Sequence, residues 1–385
     1  MTSRTDPIRL ATRGSDLALA QAKLVERELS ERRHEVELIE VETTGDQIRD
    51  ELIHRLGKTG AFVRSLDEKI IAGEVDGAIH SMKDMPTEDS QLIVAAVPER
   101  ASAGDRLVTP EGKTIEELPE GATVGTGSLR RGAQLLAQRS DIAVEPLRGN
   151  VDTRVEKLLS KSLNEKYDRR VAADEERKAN SENNEFEPTF DRRPDEWVED
   201  LSDLERRAFE RTEEFDAIVL AAAGLERSGL DREIPTRALS PNTFVPAAGQ
   251  GALAITMEDT ELAREVNDAL DHPRSRVETT VERTILATLG GGCVAPIGIH
   301  AVIQGEYVHT RVQVLAREGE PTISVTRDLP VERHAEAARE LADELAERGA
   351  RELIEEAKRG ASAEEIDTER EDESERENEG ERVEK

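Results

Sequence analysis

Short apolar runs alternate with amphipathic stretches along the first 240 residues, and the alternation starts twice. "IRLATRGS" reads as a strand entering a loop, and "SDLALAQAKLVERELSERR" has helical periodicity with Ser15 or Asp16 as its N-cap. "VELIEV", "DGAIHS" and "LIVAAV" are short strands separated by helices such as "FVRSLDEKIIAG". After Pro110 the pattern begins again with "ATVGTGS", "SLRRGAQLLAQR", "IAVEPLR", "NVDTRVEKLL" and "FDAIVLAAAG". Strands that alternate with helices build a sheet with helices on its faces, so two such runs predict an α/β fold of two similar lobes flanking a cleft. Beyond "PAAGQGALAIT" a helix, "RVETTVERTILATLGG", precedes three strand-like runs and a helix near 332–357, which predicts a smaller α+β C-terminal domain. The expected bounds are 1–100 with 241–260 for the first lobe, 101–240 for the second and 261–360 for the third domain. The remainder, 361–385, is an acidic stretch expected to be disordered. Residues 161–214 break the rhythm. "DEERKANSENNEFEPTFDRRPDEW" is charged, Asn-rich and without periodicity, although "VEDLSDLERRAFERTEE" has helical character. An insertion in a surface loop is expected there.

Charge narrows the function. With 84 acidic and 53 basic residues the 385-residue chain carries a net charge of -31, which excludes nucleic-acid binding through its bulk surface. The acidity fits the tail together with a folded surface adapted to high salt, because at about 1 M salt the Debye length is roughly 3 Å and self-repulsion nearly vanishes. Aromatic residues make up only 2%, so Val, Ile, Leu and Ala must build the core. A single cysteine, Cys293, excludes an intramolecular disulfide and a multi-cysteine zinc site, and the seven histidines lack metal-binding spacing, so no metal is expected. The N-terminus has no apolar h-region and no run approaches eighteen apolar residues, so a cytoplasmic protein without membrane contact is expected.

Three apparent motifs fail. "LGKTG" has Leu52 where a phosphate-binding loop needs its first glycine, "VGTGSLR" lacks the third glycine of a dinucleotide fingerprint, and "RGSDL" has Arg13 where a nucleophile elbow needs glycine. Cations at element ends carry more information: Arg13, Lys83, Arg130, Arg131, Arg148 and Arg154. Ligands of open α/β sheets gather beyond the carboxyl ends of the strands. Thr126 and Ser128 stand at a helix start, where free N–H groups favour anions, although Ser128 also reads as a plain N-cap. Each arginine alone reads as a solvated surface charge. Six cations recurring at equivalent places in so acidic a chain point to a ligand with several carboxylates or phosphates, which guanidinium groups fork bidentately. Cys293, in "LGGGCVAPIG", is either a small core hydrophobe or a functional thiol. The glycine run favours an open loop that something bulky reaches. Asp84 follows Lys83 directly; on an extended chain the two side chains point to opposite faces rather than pairing.

Taken together, "IRLATRGSDLALAQA", "HSMKDMP", "VGTGSLRR", "LRGNVDTR", "DAIVLAAAGLERSGL", "PAAGQGALAI" and "GGGCVAPIG" resemble the hydroxymethylbilane synthase (porphobilinogen deaminase) family, in the family's order and over most of residues 7–310. The resemblance implies two periplasmic-binding-protein-like lobes and a C-terminal domain carrying the cysteine. It implies that Cys293 holds a dipyrromethane cofactor through a thioether. Porphobilinogen units then add head to tail with loss of ammonia, and water releases the linear tetrapyrrole. Asp84 is implied as the catalytic carboxylate that stabilises positive charge on pyrrole nitrogens. Arg13, Ser15, Lys83, Thr126, Ser128, Arg130, Arg131, Arg148 and Arg154 match the cofactor- and substrate-binding positions, with Arg227, Gln250 and Phe62 as further carry-overs. Gly127 departs from the pattern, since a second serine is frequent there. A monomer is expected. The competing readings are a non-catalytic bilobed polycarboxylate binder, which has no use for Cys293, and a cysteine hydrolase, for which no histidine has a supporting context.

Overall fold

The computed structural model describes residues 6–41, 61–87, 90–179, 189–292 and 295–360, apart from the side chains of Ala61 and Phe62. Cys293, the side chain of Phe62 and the acidic stretch from 361 onward therefore lie outside the described residues. Strands β1 (Ile8–Arg13), β2 (Val36–Val41), β3 (Gly77–Ser81) and β4 (Ile93–Ala96) come first. They are followed by β5 (Asp105–Val108), β6 (Thr123–Thr126), β7 (Ala143–Pro146), β8 (Ala217–Ala221) and β9 (Thr236–Ala238), and then by β10 (Leu253–Met257). Two five-stranded sheets result, ordered β2-β1-β3-β10-β4 and β7-β6-β8-β5-β9. They share one plan. Three parallel strands with the first in the middle are extended by an antiparallel strand, β10 or β5, that enters after the chain has crossed from the other lobe.

Parallel neighbours require crossover connections, and the amphipathic runs supply them. Asp16–Glu31 joins β1 to β2. Ser15 caps it by accepting from the Ala18 N–H at 3.4 Å, Asp16 faces the positive helix end, and Ala22, Val25 and Leu29 form its buried stripe. Strand alternation divides the packing between the two sheet faces. Leu10, Ile79 and Ile255 meet that stripe, while Ala11 and Ala78 on the other face meet Leu66 and Ile70 of helix Ala61–Ile71. In the second lobe Leu107 and Val219 pack against Leu135, and Val108 and Ile218 against Val155 and Leu158.

The expected loop insertion is largely helical. Helix Val151–Ala179 runs 29 residues without a break, carrying "NVDTRVEKLL" straight into the segment expected to be irregular. Its outer part is rich in Ala, Glu, Lys and Arg and lacks a continuous apolar stripe, so helix propensity holds it together with Tyr167 edge-on to Phe209 and Arg170 stacked over Phe190 and Trp197. Helices Pro194–Glu199 and Asp203–Phe209 fold back on it, and a capping box between Ser202 and Glu205 starts the second. Glu156 accepts from Arg207 at 2.7 Å and from Arg211 at 2.7 Å, tying the return to the long helix.

The third unit is an antiparallel sheet of β11 (Ile297–Gln304), β12 (Tyr307–Leu315) and β13 (Thr322–Pro330), covered by helices Pro273–Thr288 and His334–Glu347. Val281, Ile285, Ile299, Val312, Leu341 and Leu345 form its centre. The single helix expected near 332–357 is interrupted at Gly349, whose φ of 92° is left-handed, and helix resumes over 350–360.

The chain crosses between lobes after β4 and returns before β10, and the two connections lie side by side. Ala101 N–H donates to the Gly251 carbonyl at 3.3 Å. A Cβ on Gly251 would lie 2.6 Å from the Ala101 oxygen, and its φ is 86°, so only glycine fits this approach. Glu282, fully buried on helix Pro273–Thr288, accepts both guanidinium nitrogens of Arg100 at 2.9 Å, the Gly249 N–H at 2.7 Å and the Ala301 N–H at 2.8 Å. One carboxylate thus joins both connections to the third domain.

Candidate active site

Because β1 and β3 are parallel, as are β6, β7 and β8, each lobe presents the carboxyl ends of its parallel strands on one edge. Arg13 closes β1. Lys83 and Asp84 follow β3, Thr126 closes β6, and Arg148 follows β7. The lobes meet beside these edges, where Gly224 of helix Ala222–Ser228 faces Leu17 of helix Asp16–Glu31.

Lys83 and Asp84 do not sit on extended chain as expected. Met82–Asp84 forms a single 3-10 turn, closed by Met85 N–H donating to the Met82 carbonyl at 3.2 Å. Three residues per turn still separates adjacent side chains by about 120°, so the two point apart for a different geometric reason. Asp84 is exposed, and among the described residues its carboxylate accepts no hydrogen bond and joins no ion pair. Lys83, Arg13 and Arg148 are half-buried.

Arg154 is the most informative cation. It stands in the first turn of the long helix, and among the described residues its guanidinium makes one hydrogen bond, from Nε to the Gly149 carbonyl at 2.8 Å, and no ion pair. Crowding by protein and then repulsion from Arg131 pull its pKa down to about 10, with the Asp84 charge only partly opposing them. The residue as a whole is half-buried. A desolvated cation without a carboxylate of its own favours an incoming anion. Beside it, a Cβ on Gly127 would lie 2.9 Å from the Leu147 oxygen and 3.7 Å from an Arg154 nitrogen. The departure at Gly127 therefore has a steric cause: the Leu147 carbonyl occupies the space that a serine needs.

Thr126 is buried, and its Oγ1 accepts from the Ser128 N–H at 3.3 Å. Ser128 is the N-cap of helix Leu129–Gln138, but its hydroxyl makes no cap bond. Ser15 does cap its helix, which gives that hydroxyl a structural task.

Arg130 is turned inward, which corrects its expected place as a ligand-facing cation. It is 3% exposed, donates to Asp105 at 2.8 Å, to Gln134 at 2.8 Å and to the Val245 carbonyl at 2.7 Å, and stacks over Phe244. Arg131 shares the same carboxylate, at 2.8 Å, and donates to the Val219 carbonyl. Burial alone would push the Asp105 carboxyl up, but the charges of Arg130 and Arg131 outweigh it and hold it below the usual carboxylate range. Two guanidinium groups against one carboxylate leave this buried cluster with one net positive charge behind the cleft. Gln250 and Arg227 also turn from the cleft to the hinge. Gln250 donates to Asp105 at 3.0 Å and to the Ala103 carbonyl at 2.6 Å, and Arg227 donates to the Gly251 carbonyl at 2.9 Å.

Asp105, Arg100, Glu282 and Arg283 are functional neighbours that the sequence reading missed. Glu282 left a trace: Glu278, Glu282, Ile285 and Leu289 share one helix face, which puts two carboxylates on an otherwise apolar stripe. The half-buried Arg154, the unspent Ser128 hydroxyl and the net positive Arg130–Arg131–Asp105 cluster together fit a group carrying several carboxylates, which is the chemistry of a dipyrromethane.

Comparison with known proteins agrees. Residues 8–174 and 199–265 match the porphobilinogen deaminase, dipyromethane cofactor binding domain, and residues 277–348 match the porphobilinogen deaminase C-terminal domain. Residues 175–198, within the expected insertion, fall between matched segments. The chain is 48% identical over 388 residues to a probable porphobilinogen deaminase of Halobacterium salinarum, covering 91% of this chain and 98% of that one. It is 37% identical over 351 residues to a probable porphobilinogen deaminase of Methanococcoides burtonii, covering 90% and 96%. Among solved structures, the methionine-binding protein MetQ aligns with a TM-score of 0.35 at 10% identity, over 68% of this chain and 89% of that one. With both domains matched and close relatives spanning nearly its full length, the chain belongs to the porphobilinogen deaminase family.

Proposed function

We propose that this chain is a hydroxymethylbilane synthase, a transferase that condenses four porphobilinogen molecules head to tail with loss of ammonia and releases the linear product by hydrolysis, within porphyrin biosynthesis. Family membership gives the reaction, and the observation in this molecule that carries it is Arg154, a crowded guanidinium near enough to feel the Asp84 charge and without an ion pair among the described residues. Each pyrrole brings two carboxylates, and Arg154 with Arg13, Lys83 and Arg148 binds them from the two lobe edges. Each such charged contact contributes about 1.5–3 kcal/mol where water is excluded. The inward cluster of Arg131, Arg130 and Asp105 adds positive potential without direct contact from Arg130. Asp84, exposed at the tip of its turn, orients pyrrole N–H groups, stabilises the positive charge that develops on them and moves protons there. Held by a thioether to Cys293, a dipyrromethane supplies the free pyrrole position from which the product lengthens.

Intact mass tests the proposal. Protein purified from a host that makes porphobilinogen is expected to exceed the polypeptide mass by one dipyrromethane, and Cys293→Ala protein is expected to show the bare mass and no turnover. A parent at bare mass that binds polycarboxylates without consuming porphobilinogen would overturn the proposal in favour of a binding protein.

A further inference from the structure

The carboxylate assigned above to the chemistry has no side-chain support among the described residues, so its position follows that of its backbone turn. A single 3-10 turn is weak by itself: its hydrogen-bond geometry is poorer than that of an α-helix and it carries one closing bond. Its own lobe anchors the start of the turn, through Met82 N–H donating to the Ala252 carbonyl at 3.0 Å and through the buried Met82 and Met85 side chains, and the third domain holds its carbonyls. Arg283, half-buried on helix Pro273–Thr288, reaches from the third domain and donates to the carbonyls on both sides of Asp84. One terminal nitrogen donates to the Met82 and Met85 oxygens, each at 3.3 Å, and the other to the Pro86 oxygen at 2.7 Å. The preceding residue on that helix is Glu282, locked in the hinge. Farther on, the Thr87 hydroxyl donates to the Gly291 carbonyl at 3.5 Å, so the segment after Asp84 also touches the glycine run that precedes Cys293.

We propose that Arg283 is the positioning residue for Asp84, fixing the catalytic turn to the helix whose end carries the cysteine loop. The inference rests on the functional reading above. A planar fork suits the task, because two nitrogens in one plane satisfy carbonyls that diverge around the turn, whereas a lysine ammonium satisfies them one at a time. Without the fork the turn keeps its sequence and its cleft but loses its register against the growing product. Misplacement of a reacting group by about 1 Å costs on the order of a hundredfold in rate.

The test compares the parent with Arg283→Met and Arg283→Lys as cofactor-loaded holoenzymes. In R283M, amide exchange at Met85 is expected to accelerate at least about tenfold while β3 and β10 keep their protection. The kcat is expected to fall about ten- to a hundredfold with KM within twofold, and R283K is expected to recover part of it. Millimolar ethylguanidinium is expected to raise kcat of Arg283→Ala and leave the parent unchanged, which a purely structural loss would not allow. Unchanged Met85 exchange, or a kcat within twofold of the parent, would overturn the inference while the parent still carries its adduct and turns over. A parent with neither adduct nor turnover would overturn the functional reading and this role with it, and the mass spectrum tells the two failures apart.

Discussion

Asp105→Asn isolates the cost of the inward cluster. The Asp105 side chain is fully buried, and those of Arg130 and Arg131 are 3% and 6% exposed. One carboxylate oxygen accepts from Arg130, and the other accepts from Arg131 and Gln250. An asparagine keeps the shape, and its best orientation puts the amide oxygen toward Arg131 and Gln250. The amide N–H groups then face the Arg130 donor, and two guanidinium charges remain in the interior without an anion. Removing one partner of a buried pair costs about 3–5 kcal/mol. With a urea dependence of about 2 kcal/mol per molar, that lowers the unfolding midpoint by about 1.5–2.5 M. Trp197, the chain's only tryptophan, packs against Phe209 in the second lobe and reports its unfolding by fluorescence. The pH dependence has a fixed sign. The pairing holds the folded Asp105 carboxyl below its ordinary value, so the stabilisation is complete above an unfolded pKa of about 3.9 and is lost as pH falls through the lower folded value. The gap between parent and D105N is therefore expected to stay constant from neutral pH down to about 4 and to close only below it. A D105N midpoint within about 0.3 M of the parent would refute the reasoning.

Two further substitutions probe the cleft itself. Arg154→Met is expected to raise KM for porphobilinogen about ten- to a hundredfold, the equivalent of one desolvated charged hydrogen bond. Because burial brings Arg154 down to about 10, the parent's kcat/KM is expected to fall as pH climbs past that value and the guanidinium loses its charge, and the amplitude of that limb shrinks in R154M. An R154M protein with parental KM contradicts the assignment. Gly127→Ser brings a Cβ to 2.9 Å from the Leu147 oxygen, so the β6–helix junction must shift, and the Trp197 unfolding midpoint is expected to drop by the equivalent of about 1–3 kcal/mol. A serine variant as stable as the parent would show that the junction has room.

Most of the strand and helix framework was legible because each lobe repeats a simple pattern of apolar runs and capped helices. β5 and β9 were not. "DRLV" and "TRA" are too short to announce themselves, and β5 gains its place by pairing with β8 more than a hundred residues away. The long helix through Ala179 escaped because its outer half has no apolar stripe, so only propensity marks it. At the site, position at element ends pointed to Arg13, Lys83, Arg148 and Arg154, which the structure leaves half-buried, but the same rule could not distinguish Arg130 and Arg131, whose shared partner Asp105 is close only after folding. Nothing in "SMKDMP" shows that Arg283 will hold it, since that contact joins segments about 200 residues apart.

The carboxylate of Glu282 bears on which parts of the molecule move together. Detaching the third domain from the connections would have to pull it from Arg100 and from Gly249, leaving an ion stranded in a dry interior. At about 3–5 kcal/mol, such detached conformers amount to fewer than about one molecule in a hundred. The third domain therefore travels with the two connections as one body, and the lobes on either side turn about it.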